Sequence, residues 1–166
     1  VERNADVVGN RQNFVGYMAM RPGVEKRGSH GLFNEKNEPI ILNQAANEIA
    51  EHKGNVWSHV VSLRREDAVR LGYDNSDAWR ELVKRHISDI AKAQNIPLCN
   101  LKWYAAYHDT THHPHIHLLV YSTNPKQGFL TKAGIDKIRS AFANDIFHDD
   151  LQSIYQEQTV SRDELK

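Results

Sequence analysis

Two apolar runs separated by a short polar stretch constrain this chain more than any other feature. Residues 101–108, LKWYAAYH, and 115–123, HIHLLVYST, are joined only by DTTHHP. Runs rich in aromatic and β-branched residues, linked by turn-forming residues, pair as an antiparallel hairpin. Residues two apart on a strand share a face and stand about 6.6–6.8 Å apart. His115 and His117 therefore project to one side of the second strand, and Ile116, Leu118 and Val120 form an apolar row on the other. The histidines lie opposite the main core layer.

Five of the ten histidines fall between His108 and His117. His113 has the parity of His115 and His117, but in an extended strand it would lie about 13 Å from His117, too far to share an ion without a bend. His108 ends the neighbouring strand, and adjacent strands run about 4.8 Å apart, so its imidazole can join the other two. The spacing selects His108, His115 and His117 as metal ligands. Three neutral imidazoles with open positions beyond them describe a metal that works on a substrate rather than a closed structural site. Asp109 first, then Thr110 or His113, are placed to hydrogen-bond the far ring nitrogens. The competing reading is a solvated, histidine-rich turn.

The rest of the chain organises around this hairpin without repeats, low-complexity tracts or a linker. Segment 11–20, RQNFVGYMAM, fits a short helix or a strand and ends at Arg21-Pro22-Gly23. Residues 43–53 predict a helix with Asn43 as N-cap, Gly54 as stop and Ala46, Ile49 and Ala50 on one face. Val56–Leu63 predicts a strand with Trp57, His59, Val61 and Leu63 on one face. His59 either approaches the site or is a satisfied core histidine. Ser76–Gln94 predicts one helix, with Trp79, Leu82, Val83, Ile87, Ile90 and Ala91 inward and Arg80, Lys84 and Lys92 on the opposite face. Thr131 predicts the cap of a helix striped by Ile135, Ile138, Phe142 and Ile146, and a last helical stretch carries Leu151, Ile154 and Tyr155. The element pattern gives an α+β domain with helices covering one face of an antiparallel sheet.

Composition excludes several classes. No apolar run approaches the ~20 residues needed to cross a bilayer, and the first residues lack the apolar segment of a secretory signal. Cys99 is the only cysteine, which removes intrachain disulfides and cysteine zinc knuckles and favours a reducing, cytoplasmic setting. Lys and Arg total 21 against 21 Asp and Glu, so charge neither marks a nucleic-acid partner nor forbids one. Residues 1–166 read as one domain, taken from the N-terminal part of a longer protein.

The run WYAAYHDTTHHPHIHLLVYS closely resembles the third motif of relaxases, the DNA-nicking enzymes of conjugative and mobilisable elements, in which His-hydrophobic-His (HUH) is the signature. The segments YMAMRPGVEKRGSHGLF and NVWSHVVSLRREDAVRLGYD look like those of the MobL type, a MOB-P-like group on mobile elements of Gram-positive bacteria. The likeness runs from Asn13 to Thr123. It implies the HUH relaxase fold, a central antiparallel sheet of about five strands with helices packed on it. It also implies one divalent ion, manganese or magnesium, held by the three histidines, and a tyrosine that attacks a phosphodiester. The products would be a 5′-phosphotyrosyl link and a free 3′-hydroxyl, later rejoined. Implied partners are single-stranded and origin-of-transfer DNA together with accessory transfer and coupling proteins, in the bacterial cytoplasm.

The resemblance carries the nucleophile onto Tyr17, with an aromatic core residue as the competing role. Phe14 is a position where related sequences can carry Tyr; were that the nucleophile, this chain would be an inactive substitution, and His30 stands in reserve as a histidine nucleophile. Arg21, Lys26, Arg27, Arg64 and Arg65 are candidates for DNA phosphates. Tyr104, Tyr107 and Tyr121 are expected to pack or to stack on bases, and Trp57 and Trp103 to sit in the core. The rivals are a rolling-circle initiator or transposase, with Tyr155 as its nucleophile, a histidine-rich hydrolase or oxygenase of small molecules, and a DNA-binding module that has lost catalysis.

Overall fold

The computed structural model describes residues 2–7, 10–110 and 112–152. Four strands, β1 (Glu2–Val7), β2 (Val56–Ser62), β3 (Leu101–His108) and β4 (His115–Ser122), form an antiparallel sheet in the order β1-β2-β4-β3. Among the described residues this is one strand fewer than expected. The place of another neighbour beside β3 is taken by residues 21–34, which meet that strand only at the isolated bridges Val24↔His108 and Phe33↔Ala105. An irregular segment thus covers an edge that a regular strand would otherwise pair.

Helices cover both faces of the sheet, where one covered face was expected. On one side α3 (Arg65–Leu71), α4 (Ser76–Arg85), α5 (Ile87–Ala93) and α6 (Lys132–Ile146) bring Ala68, Trp79, Leu82, Ile90, Ile138 and Phe142 against Val61, Ile116, Leu118 and Val120. On the other, α1 (Arg11–Met20) and α2 (Leu42–Glu51) bring Val15, Met18, Ala19, Ala46 and Ile49 against Tyr104, Ala106 and Leu119. The second layer follows from β4, whose Leu119 and Tyr121 are apolar on the histidine side and need a cover. Helix α1 carries that cover as far as the histidines, burying His108 and His117, so the site sits beside α1.

Segment 11–20 is helical, capped by Asn10, whose side chain accepts from the Asn13 amide. Apolar residues occur all round it, with Tyr17 and Met20 left exposed, so no period marks it in the sequence. Helix α2 starts at Leu42 and has Ile41 rather than Asn43 at its N-cap. Its far end at His52 is held from outside by Arg11, whose guanidinium donates to the carbonyls of His52 and Gly54. Ala45 takes the inward place expected of Ala50, which faces solvent.

The helix expected over 76–94 is broken at His86 into α4 and α5. The His86 amide is shared between the Leu82 and Val83 carbonyls, and its ring lies between Asp89 (2.9 Å) and Asp145 (2.6 Å). Arg80, expected on the solvent face, is buried. It donates to the carbonyls of Asn34 and Glu35 and to the Asn37 side chain, anchoring the 34–37 loop. Helix α3 was not anticipated, and neither was β1. Thr131 caps α6 through the Gly134 amide as expected, and residues 148–152 are again helical. Ile154 and Tyr155 lie outside the described residues.

Candidate functional site

The β3–β4 register sets His108 opposite His115 and Ala106 opposite His117. Two imidazoles on alternate positions of β4 and one from the end of β3 therefore share a patch. Ring centroids are 4.7–5.1 Å apart, His108 and His115 lie nearly parallel, and His117 stands across both. One ligand-capable nitrogen from each falls within 4.8 Å of the others, a grouping that can hold a metal ion. His59, by contrast, projects to the opposite face, where its Nε2 pairs with Gln94 Oε1 at 2.6 Å: it is a core histidine.

Four of the six ring nitrogens of this cluster lack a hydrogen-bond partner among the described residues. Both ring nitrogens of His108 and of His117 are buried without a hydrogen-bond partner among the described residues. A buried donor or acceptor left unpaired costs about 1–3 kcal/mol, so these atoms, with only the Met18 backbone near enough to His108 to act on it, mark a place where a ligand would be favoured. His115 is better placed: its Nδ1 lies 3.0 Å from the His113 carbonyl, which fixes the proton there and leaves Nε2 with its lone pair outward. Burial, followed by the neighbouring His117 and His115, holds His108 down at about 3. Burial and His115 hold His117 at about 4, and burial also lowers His115. The rings are neutral at neutral pH, the form that ligates a metal. The three-histidine group contains no carboxylate.

Helix α1 forms the rim. Phe14 meets the His117 ring edge-on at 6.3 Å between centroids. Tyr17 follows one turn later, half exposed, with the Arg21 guanidinium over its ring at 4.8 Å. Phe14, Tyr17 and Arg21 are spaced i, i+3, i+7 along one helical stripe. Arg21 lies within electrostatic reach of all three histidines and lowers each of them. The chain then turns sharply. The Val24 amide donates to the Arg21 carbonyl at 3.2 Å across Pro22 and Gly23, and Gly23 has φ +95°. Proline second and glycine third is the composition a type II turn demands. The Gly23 carbonyl accepts from the Asp109 amide at 2.7 Å, so this turn locks the end of α1 to the end of β3.

The other candidates separate. Asp109 bonds Arg65 at 2.6 Å rather than a histidine ring, and His113 reaches the cluster through its backbone carbonyl. Arg65 also donates to the Thr110 carbonyl, and its amide donates to the His112 carbonyl, so it stitches the histidine-bearing turn to the start of α3. Arg27 is engaged with Asp77 and Ser76. Lys26 and Arg64 are exposed, and neither appears in an ion pair among the described residues. His30 is fully used: its Nδ1 accepts from the Leu32 amide and its Nε2 lies 2.7 Å from the Ile40 carbonyl. Trp103 and Tyr107 are core, and Trp57 is half-buried with its indole N–H donating to the Gly128 carbonyl.

A second polar cluster escaped notice in the sequence. Glu48 of α2 accepts from the Tyr121 and Tyr104 hydroxyls and from Lys102. Those hydroxyls and the Lys102 ammonium overcome burial and keep the carboxyl ionised below its usual range. Only β3–β4 parity, which puts Tyr104 and Tyr121 on the α2 side, hinted at it.

The α+β domain thus offers three converging histidines on an antiparallel hairpin, a grouping that can hold a metal ion, rimmed by a tyrosine and by an arginine that has no carboxylate partner among the described residues. The chain belongs to the MobL relaxase family, which it matches over residues 9–166. That family makes it a DNA-nicking transesterase of mobile elements, concerned with conjugation and mobilisation. No curated protein and no solved structure matches it. Among the described residues no helix is long and apolar enough to cross a membrane.

Proposed function

We propose that this domain nicks one strand at the transfer origin of its mobile element by attack of Tyr17 on a phosphodiester. The carrying observation is the convergence of His108, His115 and His117, with four buried unpaired nitrogens, beside the α1 stripe that holds Tyr17 and Arg21. The donor set, three neutral imidazoles, fits a divalent transition ion such as manganese better than oxygen-seeking magnesium, the other ion that the family resemblance implies; an ion held there would supply positive charge to the non-bridging oxygens of a phosphate. The protein side of the chemistry is positional. Tyr17 presents its hydroxyl from an exposed helical face, where a flexible single strand can approach it. In the step itself the phenolic oxygen bonds to phosphorus and the P–O3′ bond breaks. The phenol gives up its proton and the departing 3′-oxygen gains one. No redox change occurs, and the phosphotyrosyl ester keeps the bond energy needed to rejoin the strand.

Phosphate affinity without sequence reading comes from Lys26 and Arg64 in this account, whereas Arg27 and Arg65 are occupied with internal partners. Coupling and accessory transfer proteins and a cytoplasmic setting belong to the same reading. The test is incubation with manganese and single-stranded oligonucleotides spanning the parent element's transfer origin, followed by denaturing gel and peptide mass mapping. A covalent adduct on Tyr17, lost in Tyr17→Phe and in His115→Ala, is expected. Cleavage without an adduct would favour the hydrolase reading, and an adduct surviving Tyr17→Phe would remove Tyr17 from the nucleophile role.

A second reading rests on Phe14, the aromatic that touches His117. If the attacking position is that of residue 14, the chain binds its DNA without cutting it. Phe14→Tyr in a Tyr17→Phe background would then create an adduct on residue 14.

A further inference from the structure

We infer that Arg21 is a catalytic residue, the cation that takes the charge developing on the scissile phosphate, and not merely one of several side chains that hold DNA. The inference rests on the nicking reading above and extends it to a residue with a distinct role.

Three observations carry it. First, the guanidinium of Arg21 lies over the Tyr17 ring at 4.8 Å, so a phosphorus bonded to the phenolic oxygen forms within reach of the same arginine. Second, Arg21 has no carboxylate partner among the described residues, unlike Arg27, Arg65, Arg70 and Arg85, each of which is paired. Among the described side chains, a half-buried arginine beside three histidines whose group holds no carboxylate leaves the site with positive charge and no counter-ion. A phosphate provides that counter-ion, and the guanidinium fork can meet two of its oxygens. Third, the residue is held by backbone and not by its own side chain. Its amide donates to the Tyr17 carbonyl, its carbonyl accepts from Val24, and Gly23 joins the turn to Asp109 beside His108. The fork rests on the Tyr17 ring with no hydrogen-bond partner among the described residues while its base is fixed, the arrangement of a preorganised donor.

During attack the phosphorus gains a fifth oxygen neighbour and negative charge grows on its non-bridging oxygens. Arg21 stabilises that charge in the forward step and again when the 3′-hydroxyl returns to displace the tyrosine. A lost donor of this type slows the chemical step by about 100-fold or more.

The experiment compares wild type, Arg21→Ala and Arg21→Lys on two manganese-supplemented oligonucleotides, one with an ordinary phosphodiester at the mapped nick and one with a methylphosphonate there. Adduct formation is followed in single turnover, with manganese affinity and oligonucleotide affinity measured alongside. On the phosphodiester, Arg21→Ala should slow the chemical step about 100-fold with manganese binding retained, and Arg21→Lys should fall between. On the methylphosphonate, which lacks the charged oxygen, the wild type and Arg21→Ala should converge. Equal slowing on both substrates, or a loss confined to oligonucleotide affinity, would overturn the assignment. No adduct from the wild-type chain would overturn the nicking reading and the role of Arg21 together, whereas an undiminished adduct from Arg21→Ala would overturn the latter alone.

Discussion

Replacing Arg65 by alanine separates two roles for this residue, because the sequence marks it for DNA and the structure spends it on the histidine turn. Its side chain bonds Asp109 at 2.6 Å and the Thr110 carbonyl, and the backbone joins Leu63 to Pro114 and Arg65 to His112. The ion pair is 31% and 51% exposed on its two sides, which limits it to about 0.5–1 kcal/mol. The charged bond to a carbonyl adds about 1 kcal/mol after the same allowance for solvent. The backbone links survive the substitution, so about 2 kcal/mol of restraint leaves the turn while the fold stays intact. That turn carries the His113 carbonyl that orients His115. Metal sites deprived of such an orienting partner lose about 10–100-fold in affinity, and 2 kcal/mol caps the effect near 30-fold. Arg65→Ala should therefore weaken manganese binding by about 10-fold in calorimetric titration, with Tm lowered by only a few degrees. Unchanged manganese affinity, accompanied by a salt dependence of DNA binding shallower by about one unit, would refute the argument and return Arg65 to the phosphate-contact group.

Three further outcomes follow from the packing. Arg80→Leu should cost about 2–3 kcal/mol in urea unfolding, since it leaves the buried Asn34 carbonyl and the part-buried Glu35 carbonyl without their donor; a loss below 1 kcal/mol would mean that water replaces the guanidinium. Phe142→Ala, at a fully buried site between α6 and the sheet, should cost about 3–5 kcal/mol by the same assay. Stability should fall above pH 10. Burial and Glu48 push Tyr104 up to about 12, and burial pushes Tyr121 higher still, so between these values the unfolded chain loses protons that the folded chain keeps. Tyr104→Phe with Tyr121→Phe should make that alkaline limb of the Tm profile shallower, leaving the share of Tyr107 and Tyr73, which burial also raises, and an unchanged limb would place its origin elsewhere.

Much of the site was legible because a strand's two-residue period fixes which side chains meet. His115 and His117 needed only parity, and His108 only the shortness of DTTHHP. The second layer of helices was less visible, because α1 has apolar residues on all sides and no period to read. Asp109 looked like a histidine's partner by proximity in sequence, but a carboxylate on a turn is drawn to the nearest guanidinium, and Arg65 arrives from another element. The break at His86 hid because the inward stripe from Trp79 to Ala91 continues through it; what ends α4 is a ring held between Asp89 and Asp145, one of them distant in the chain. Arg80 was misplaced for a related reason: only the folded loop at 34–37 supplies the acceptors that make a buried arginine affordable.

The two bridges between residues 24 and 33 and strand β3 have a consequence for how this domain meets other chains. A bare outer edge next to the histidines would offer amides and carbonyls to any extended polypeptide, the usual route to strand exchange and fibril growth. Here the Glu25 amide donates to the Tyr107 carbonyl, and Phe33 and Ala105 exchange both of their backbone bonds. The amides of Glu25, Phe33 and Ala105 should be among the slow exchangers in deuterium, and their release would signal the edge opening. The same short stretch that follows helix α1 thus guards the sheet against templating, so loosening it exposes a sticky border at the moment the histidine side of the molecule comes apart.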